Sequence, residues 1–127
     1  VQVDYVFAGL IVSDRDLAAD WYARVLGRPV DMLPNDAEAA WQVAGSASLY
    51  LLADPGRAGR SVCTVVVPDL KAELARIMGR GIVAGPVSAV AEAGWKAELT
   101  DPDGNVLALV QLSLPASPDQ VERDETA

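Results

Sequence analysis

The sequence predicts an α+β fold made of two copies of one strand–helix–three-strand unit, and three observations carry that prediction. Two short β-branched runs are each followed by an acid-headed helical pattern, with Asp14 and Asp69 standing 55 residues apart. Trp41 and Trp95 stand 54 residues apart, each opening a segment that leads to an apolar run. The closing runs, Leu49-Tyr50-Leu51-Leu52 and Val106-Leu107-Ala108-Leu109-Val110, match in kind and in place. Strand, capped helix, tryptophan and closing strand recurring together read as an internal duplication.

Each element has its own reason. Ala8-Gly9-Leu10-Ile11-Val12 is short, apolar and β-branched, which favours a strand. Ser13 is the expected N-cap of the helix that follows, and Asp14 and Asp16 suit the positive end of its dipole. Leu17, Ala18, Trp21, Tyr22, Val25 and Leu26 recur as one helical face, and Gly27 supplies the left-handed stop. The second half repeats this. Val62-Cys63-Thr64-Val65-Val66-Val67 is the strand, Asp69 the cap, and Leu70, Leu74, Ile77 and Met78 the apolar face, with Gly79 or Gly81 as the stop. Asp54-Pro55-Gly56-Arg57-Ala58-Gly59-Arg60 joins the halves. Asp101-Pro102-Asp103-Gly104-Asn105 has the chemistry of a tight hairpin connection: Pro102 fixes φ and Gly104 accepts a positive one. The expected organisation is one domain over residues 1–114, with repeats at about 4–53 and 61–114, and a flexible acidic tail at 115–127.

Composition narrows the function. A chain of 127 residues that is 51% hydrophobic can bury a core of ordinary size. The formal charge of −8 disfavours nucleic acid, whose phosphates need neutralising cations. No apolar run approaches the ~18 residues of a membrane helix. The opening Val1-Gln2-Val3-Asp4-Tyr5 does not read as a secretory leader, and the single Cys63 fits a reducing cytoplasm. There is no histidine. That removes every triad built on imidazole, the commonest metal ligand, and the usual general base near neutral pH.

Three stretches taken in order resemble the vicinal oxygen chelate superfamily of glyoxalases, bleomycin-resistance proteins and extradiol dioxygenases. They are Val12-Ser13-Asp14 leading to Trp21-Tyr22-Ala23-Arg24-Val25-Leu26-Gly27, Val67-Pro68-Asp69-Leu70 leading to a helix ending near Gly81, and Asp101-Pro102-Asp103-Gly104-Asn105. The resemblance spans about residues 5 to 112. It implies two βαβββ repeats forming a curved mixed sheet, a cup with the helices on its outer face. In the family's metalloenzymes the first and last strands of each half supply ligands that converge inside the cup. Carried onto this sequence, those positions are Phe7, Val62 and Ala108, with the fourth near Tyr50. None offers the oxygens, imidazole or thiolate that a cation wants, apart from the phenol of Tyr50. The resemblance therefore implies a cup without metal or other cofactor, lined by Phe7, Tyr50, Val62 and Ala108. Trp41 and Trp95 either pack within the sheets or flank the two mouths of the cup as stacking surfaces.

The expectation that follows is a metal-independent binding protein of the bleomycin-resistance type, taking an antibiotic or other planar or cationic small molecule and working as a homodimer. A superfamily enzyme of lyase, isomerase or dioxygenase type, with an atypical or metal-free site, is the alternative. Its acid–base work would fall to Glu92, Lys96, Glu98 or Asp101. A protein-interaction module is a third reading. No residue is assigned a catalytic role. Lys96 and Glu98 read as partners in an exposed cross-strand ion pair, and Cys63 as a buried, inert thiol.

Overall fold

Alternation organises the first strand. In β1 (Val6–Val12), Leu10 and Val12 are buried, while Phe7, Gly9 and Ile11 take the opposite face. The computed structural model describes residues 1–90, 92 and 94–112, so the expected tail at 115–127 lies outside the described residues. After β1 come α1 (Arg15–Leu26), β2 (Met32–Asn35), β3 (Glu38–Ala44) and β4 (Ala47–Ala53). The second half runs β5 (Val62–Val66), α2 (Leu70–Gly79), β6 (Ser88–Val90), β7 (Gly94–Thr100) and β8 (Val106–Leu112).

Each half makes a four-stranded mixed sheet, ordered β1-β4-β3-β2 and β5-β8-β7-β6. β1 and β4 run parallel, as do β5 and β8, and the remaining pairs are antiparallel. The repeat is therefore βαβββ in both halves. Corresponding residues follow from register. Leu51 pairs with Leu10 and Ala39, and Leu109 pairs with Val65 and Ala97. The offset is thus 55 residues in the first strands but 58 in the last two. Trp41 then corresponds to Leu99, both on strands facing the helices, and its spacing of 54 from Trp95 is not a structural equivalence.

The helices are capped as acids near an N-terminus allow. Asp14, in extended conformation, accepts a hydrogen bond from the Leu17 N–H at 3.0 Å, and Asp69 accepts one from the Ala72 N–H at 3.1 Å. Ser13, expected to cap α1, lies one residue too early. Its hydroxyl donates instead to Asp103 at 2.6 Å. Gly27, at φ 78°, closes α1. Arg80, from the second half, donates to the carbonyls of Arg24 and Val25, placing a cation at the negative end of α1. The buried stripes are narrower than the apolar pattern: Leu17 and Met78 are exposed, while Ala18, Trp21, Tyr22 and Val25, and Leu70, Leu74 and Ile77, are buried.

One core serves both halves. Leu10, Tyr22, Trp41, Leu49 and Leu51 join Leu74, Ile77, Leu99, Leu107 and Leu109 in a single cluster on the helix side of the sheets. The halves are also tied by polar groups. The turn between β7 and β8 is the hairpin connection expected, with Gly104 at φ 103°, but it holds buried side chains as well. Asp101 accepts from the Asp103 and Asn105 N–H groups through Oδ1, and from the Tyr22 hydroxyl (2.8 Å) and Asn105 Nδ2 (2.8 Å) through Oδ2. Asn105 also donates to the Ile11 carbonyl at 2.7 Å and accepts from the Ser61 N–H at 2.8 Å. Burial, with the hydrogen bond to Asp101 adding to it, pushes the Tyr22 phenol far above its ordinary range.

Candidate functional site

The two sheets leave one face each without a helix, and that of the first half holds clefts of ligand size. Three features of the sequence shape it. Pro34 lacks an N–H, which suits β2 to the sheet edge. Asn35 makes an Asx turn, accepting from the Ala37 N–H at 2.9 Å and donating to Glu38 at 2.8 Å, so the chain reverses at once into β3. Ala44 pairs with Ala47, leaving Gly45-Ser46 as the hairpin tip. The result is a trough along β1, β4, β3 and β2 whose side chains alternate with those in the core.

Two adjoining clefts occupy this trough. One, of about 490 Å³, is bounded by Tyr5, Phe7, Met32, Ala40, Ser48 and the Arg28–Asp31 wall. The other, of about 360 Å³, shares Phe7, Met32 and Ala40 and adds Pro34, Glu38 and Tyr50. Both volumes fall in the range of small-molecule sites. Three rings make the floor. Tyr5 and Phe7 lie 4.9 Å apart between centroids, and Phe7 meets Tyr50 edge-on at 6.3 Å. The Tyr5 hydroxyl and Ser48 Oγ share a hydrogen bond at 2.6 Å.

Gly9 sets how Tyr50 lies. The two are partners across the parallel pair β1–β4, and a Cβ on Gly9 would stand 2.8 Å from the ring carbon that bears the Tyr50 hydroxyl. Only a residue without a Cβ lets the phenol rest against the strand.

The far wall is ionic but locally neutral. The Arg28 guanidinium donates to both oxygens of Asp31, at 2.7 and 3.0 Å, and to the Gln42 carbonyl. Asp31 in turn accepts from the Gln42 N–H at 2.7 Å. That backbone hydrogen bond, aided by Arg28, holds the Asp31 carboxyl below its usual pKa. Glu38 adds negative charge that no cation pairs among the described residues, since Arg28 and Asp31 offset each other.

The structure divides the six residues expected to bind ligand. Phe7 (60% exposed) and Tyr50 come together on the open face of the first sheet. Val62 (73% exposed) and Ala108 lie on the open face of the second, where Thr64 is the register partner of Ala108. The tryptophans do not join them. Trp41 is fully buried under α1, its indole N–H donating to the Arg28 carbonyl at 3.2 Å. Trp95 pairs with Gln111, which bonds the first N–H of α2, so it too lies on the helix side. Strand alternation is the cause: Gln42 and Lys96, one residue away, hold the open face instead. Met32, Arg28, Asp31 and Glu38 were not anticipated. The Pro34-Asn35 turn signal beside Met32 was the available clue.

Among the acid–base candidates, Asp101 is consumed by the buried turn, while Lys96 and Glu98 share the open face of the second sheet with no ion pair between them among the described residues. Cys63 faces the core side, half-buried, and burial raises its thiol pKa. The chemistry of the site does not fit a divalent metal. Phe7, Val62 and Ala108 carry no donor atom, and no cluster of three or more acids or cysteines that could hold an ion occurs among the described residues. No helix of the described residues is long and apolar enough to cross a membrane.

Comparison with known proteins agrees with this architecture. A family model described as a glyoxalase-like domain matches residues 6–110. A glyoxalase/bleomycin resistance protein from Catenulispora acidiphila is 32% identical, with a TM-score of 0.80 over 90% of this chain and 100% of its own. The bleomycin resistance determinant encoded on transposon Tn5 is 26% identical, with a TM-score of 0.74 over 88% of this chain and 100% of its own. A bleomycin-binding protein in complex with bleomycin is 26% identical, with a TM-score of 0.72 over 86% of this chain and 98% of its own. No curated protein sequence matches the chain significantly.

Proposed function

Because the chain belongs to the glyoxalase-like domain family, within the vicinal oxygen chelate superfamily, we propose that it is a metal-independent binding protein for a planar or cationic small molecule of the antibiotic class. The observation that carries this reading is the trough floored by Tyr5, Phe7 and Tyr50, an aromatic surface where metal ligands would otherwise stand. Flat rings stack on such a floor, and a cation gains both from the ring faces and from Glu38. The solved relatives named for bleomycin resistance and bleomycin binding favour the same use of the fold. Sequestration requires no acid, base or nucleophile, which fits a cleft wall where Arg28 and Asp31 are paired with each other and Glu38 is left to meet a cation.

The working unit is a homodimer, because the open faces of both sheets carry exposed apolar side chains that a second copy would cover. A cytoplasmic location fits the lone free thiol.

Calorimetric titration tests the reading, since all three tryptophans lie off the open face and would report poorly. Metal-free bleomycin and a panel of planar cationic antibiotics are added to protein treated with chelator. Saturable binding by at least one, unchanged when divalent ions are restored, is expected. Silence across the panel, or an affinity that appears only with a divalent ion, counts against it.

A further inference from the structure

Trp95 takes no part in the trough. It is 51% exposed although it sits on the helix side of its sheet, the side that elsewhere is packed. An indole costs much to leave in water, so its surroundings matter. It forms one wall of a groove of about 350 Å³ bounded also by Leu70, Val87, Lys71 and Gln111. Leu70, buried, and Val87, exposed, are its other apolar lining.

The polar groups of the groove are few and of one kind. Gln111 has its amide oxygen engaged by the Leu70 N–H at 2.8 Å, which fixes the side chain and leaves its NH₂ as a donor. The ammonium of Lys71 has no ion-pair partner among the described residues. The indole N–H of Trp95 likewise has no acceptor there. Every one of these groups donates, and no carboxylate lines the groove among the described residues. That pattern is the reverse of the trough on the other face, where Glu38 supplies negative charge.

We propose that this groove is a second small-molecule site, separate from the trough, and that its ligand is an organic carboxylate with an aryl or short alkyl body. The body lies between Trp95, Val87 and Leu70, and the carboxylate meets Lys71 and the Gln111 amide. The groove volume stands near the lower end for ligand sites, which limits the body to one or two rings.

The full chain labelled with fluorotryptophan tests this by fluorine NMR, with phenylbutyrate as the anionic probe and phenylbutyramide as its neutral counterpart. Trp95→Phe assigns the resonance. Phenylbutyrate is expected to shift the Trp95 signal saturably while Trp21 and Trp41 stay in place, and to bind about three- to fivefold more tightly than the amide, as one exposed charge pair allows. Lys71→Gln, at an exposed position, should abolish that preference without altering the fold. Tyr50→Ala should leave the shift unchanged, which separates this site from the trough whether or not the trough binds antibiotics. A Trp95 signal that does not saturate, equal affinity for acid and amide, or loss of the shift in Tyr50→Ala would overturn the proposal.

Discussion

At the scale of single residues, the trough depends on a glycine more than on any polar group. Tyr50 contributes ring surface only because Gly9 beneath it lacks a side chain. Gly9→Ala should therefore weaken ligand binding without deleting any atom that touches ligand, because the new methyl lifts the phenol off β1. Tyr50→Ala and Phe7→Ala should each cost about 1 kcal/mol of binding, roughly fivefold in Kd, as the loss of one stacked ring implies. Both rings are at least partly exposed, so stability should change little. The comparison to make is calorimetric Kd against the urea midpoint for all three variants. If Gly9→Ala binds as well as the parent while Tyr50→Ala does not, the placement of the ring is not what matters.

At the scale of elements, the turn between β7 and β8 holds the two halves in register. Asn105 alone bridges Ile11 of β1, Ser61 before β5 and Asp101 at the end of β7. Asn105→Ala takes the partner of the half-buried Ser61 N–H and one of the two donors to the Ile11 carbonyl, which keeps the Gly59 N–H, and should destabilise the chain by about 1–2 kcal/mol. Tyr22→Phe removes only one donor to Asp101 and should cost about 1 kcal/mol. Urea unfolding checks both, with a lowered midpoint and an unchanged m-value expected. A near-neutral Asn105→Ala would mean the bridge adds nothing to what the shared core supplies. The Asp-Pro-Asp-Gly-Asn signature predicted the turn because turn chemistry is local. It said nothing of Tyr22, Ile11 or Ser61, because those partners come from up to 94 residues away. The same division runs through the repeat. Asp69 was readable as a cap because it bonds an N–H three residues on, while in the first helix the same local chemistry pointed to Ser13, one residue before the Asp14 that caps it. Trp41 and Trp95 misled because the second half carries three more residues between helix and third strand, so equal spacing no longer means equal place. Which face a strand residue takes is fixed by pairing register, and that is absent from a single run of sequence.

At the scale of the whole molecule, the proposed homodimer rests on the distribution of apolar surface. Phe7, Met32, Val62 and Val66 are all more than half exposed, and all lie on strands rather than on loops. A monomer seldom leaves such side chains on two sheet faces to water, and closed two-fold pairing is the commonest remedy. Opposing this is charge: two chains of formal charge −8 repel each other, so added salt should tighten the dimer rather than loosen it. Val62→Glu gives the decisive variant. Its side chain is solvated in the isolated chain, so folding should be unaffected, but in an interface the carboxylate would be buried without a partner. That costs several kcal/mol, enough to weaken association more than about a hundredfold. Light scattering on the parent should give twice the 13.3-kDa chain mass, and on Val62→Glu the mass of a single chain. A parent that stays monomeric at every concentration removes the dimer from the proposal. A Val62→Glu variant that still dimerises moves the interface away from the open face of the second sheet.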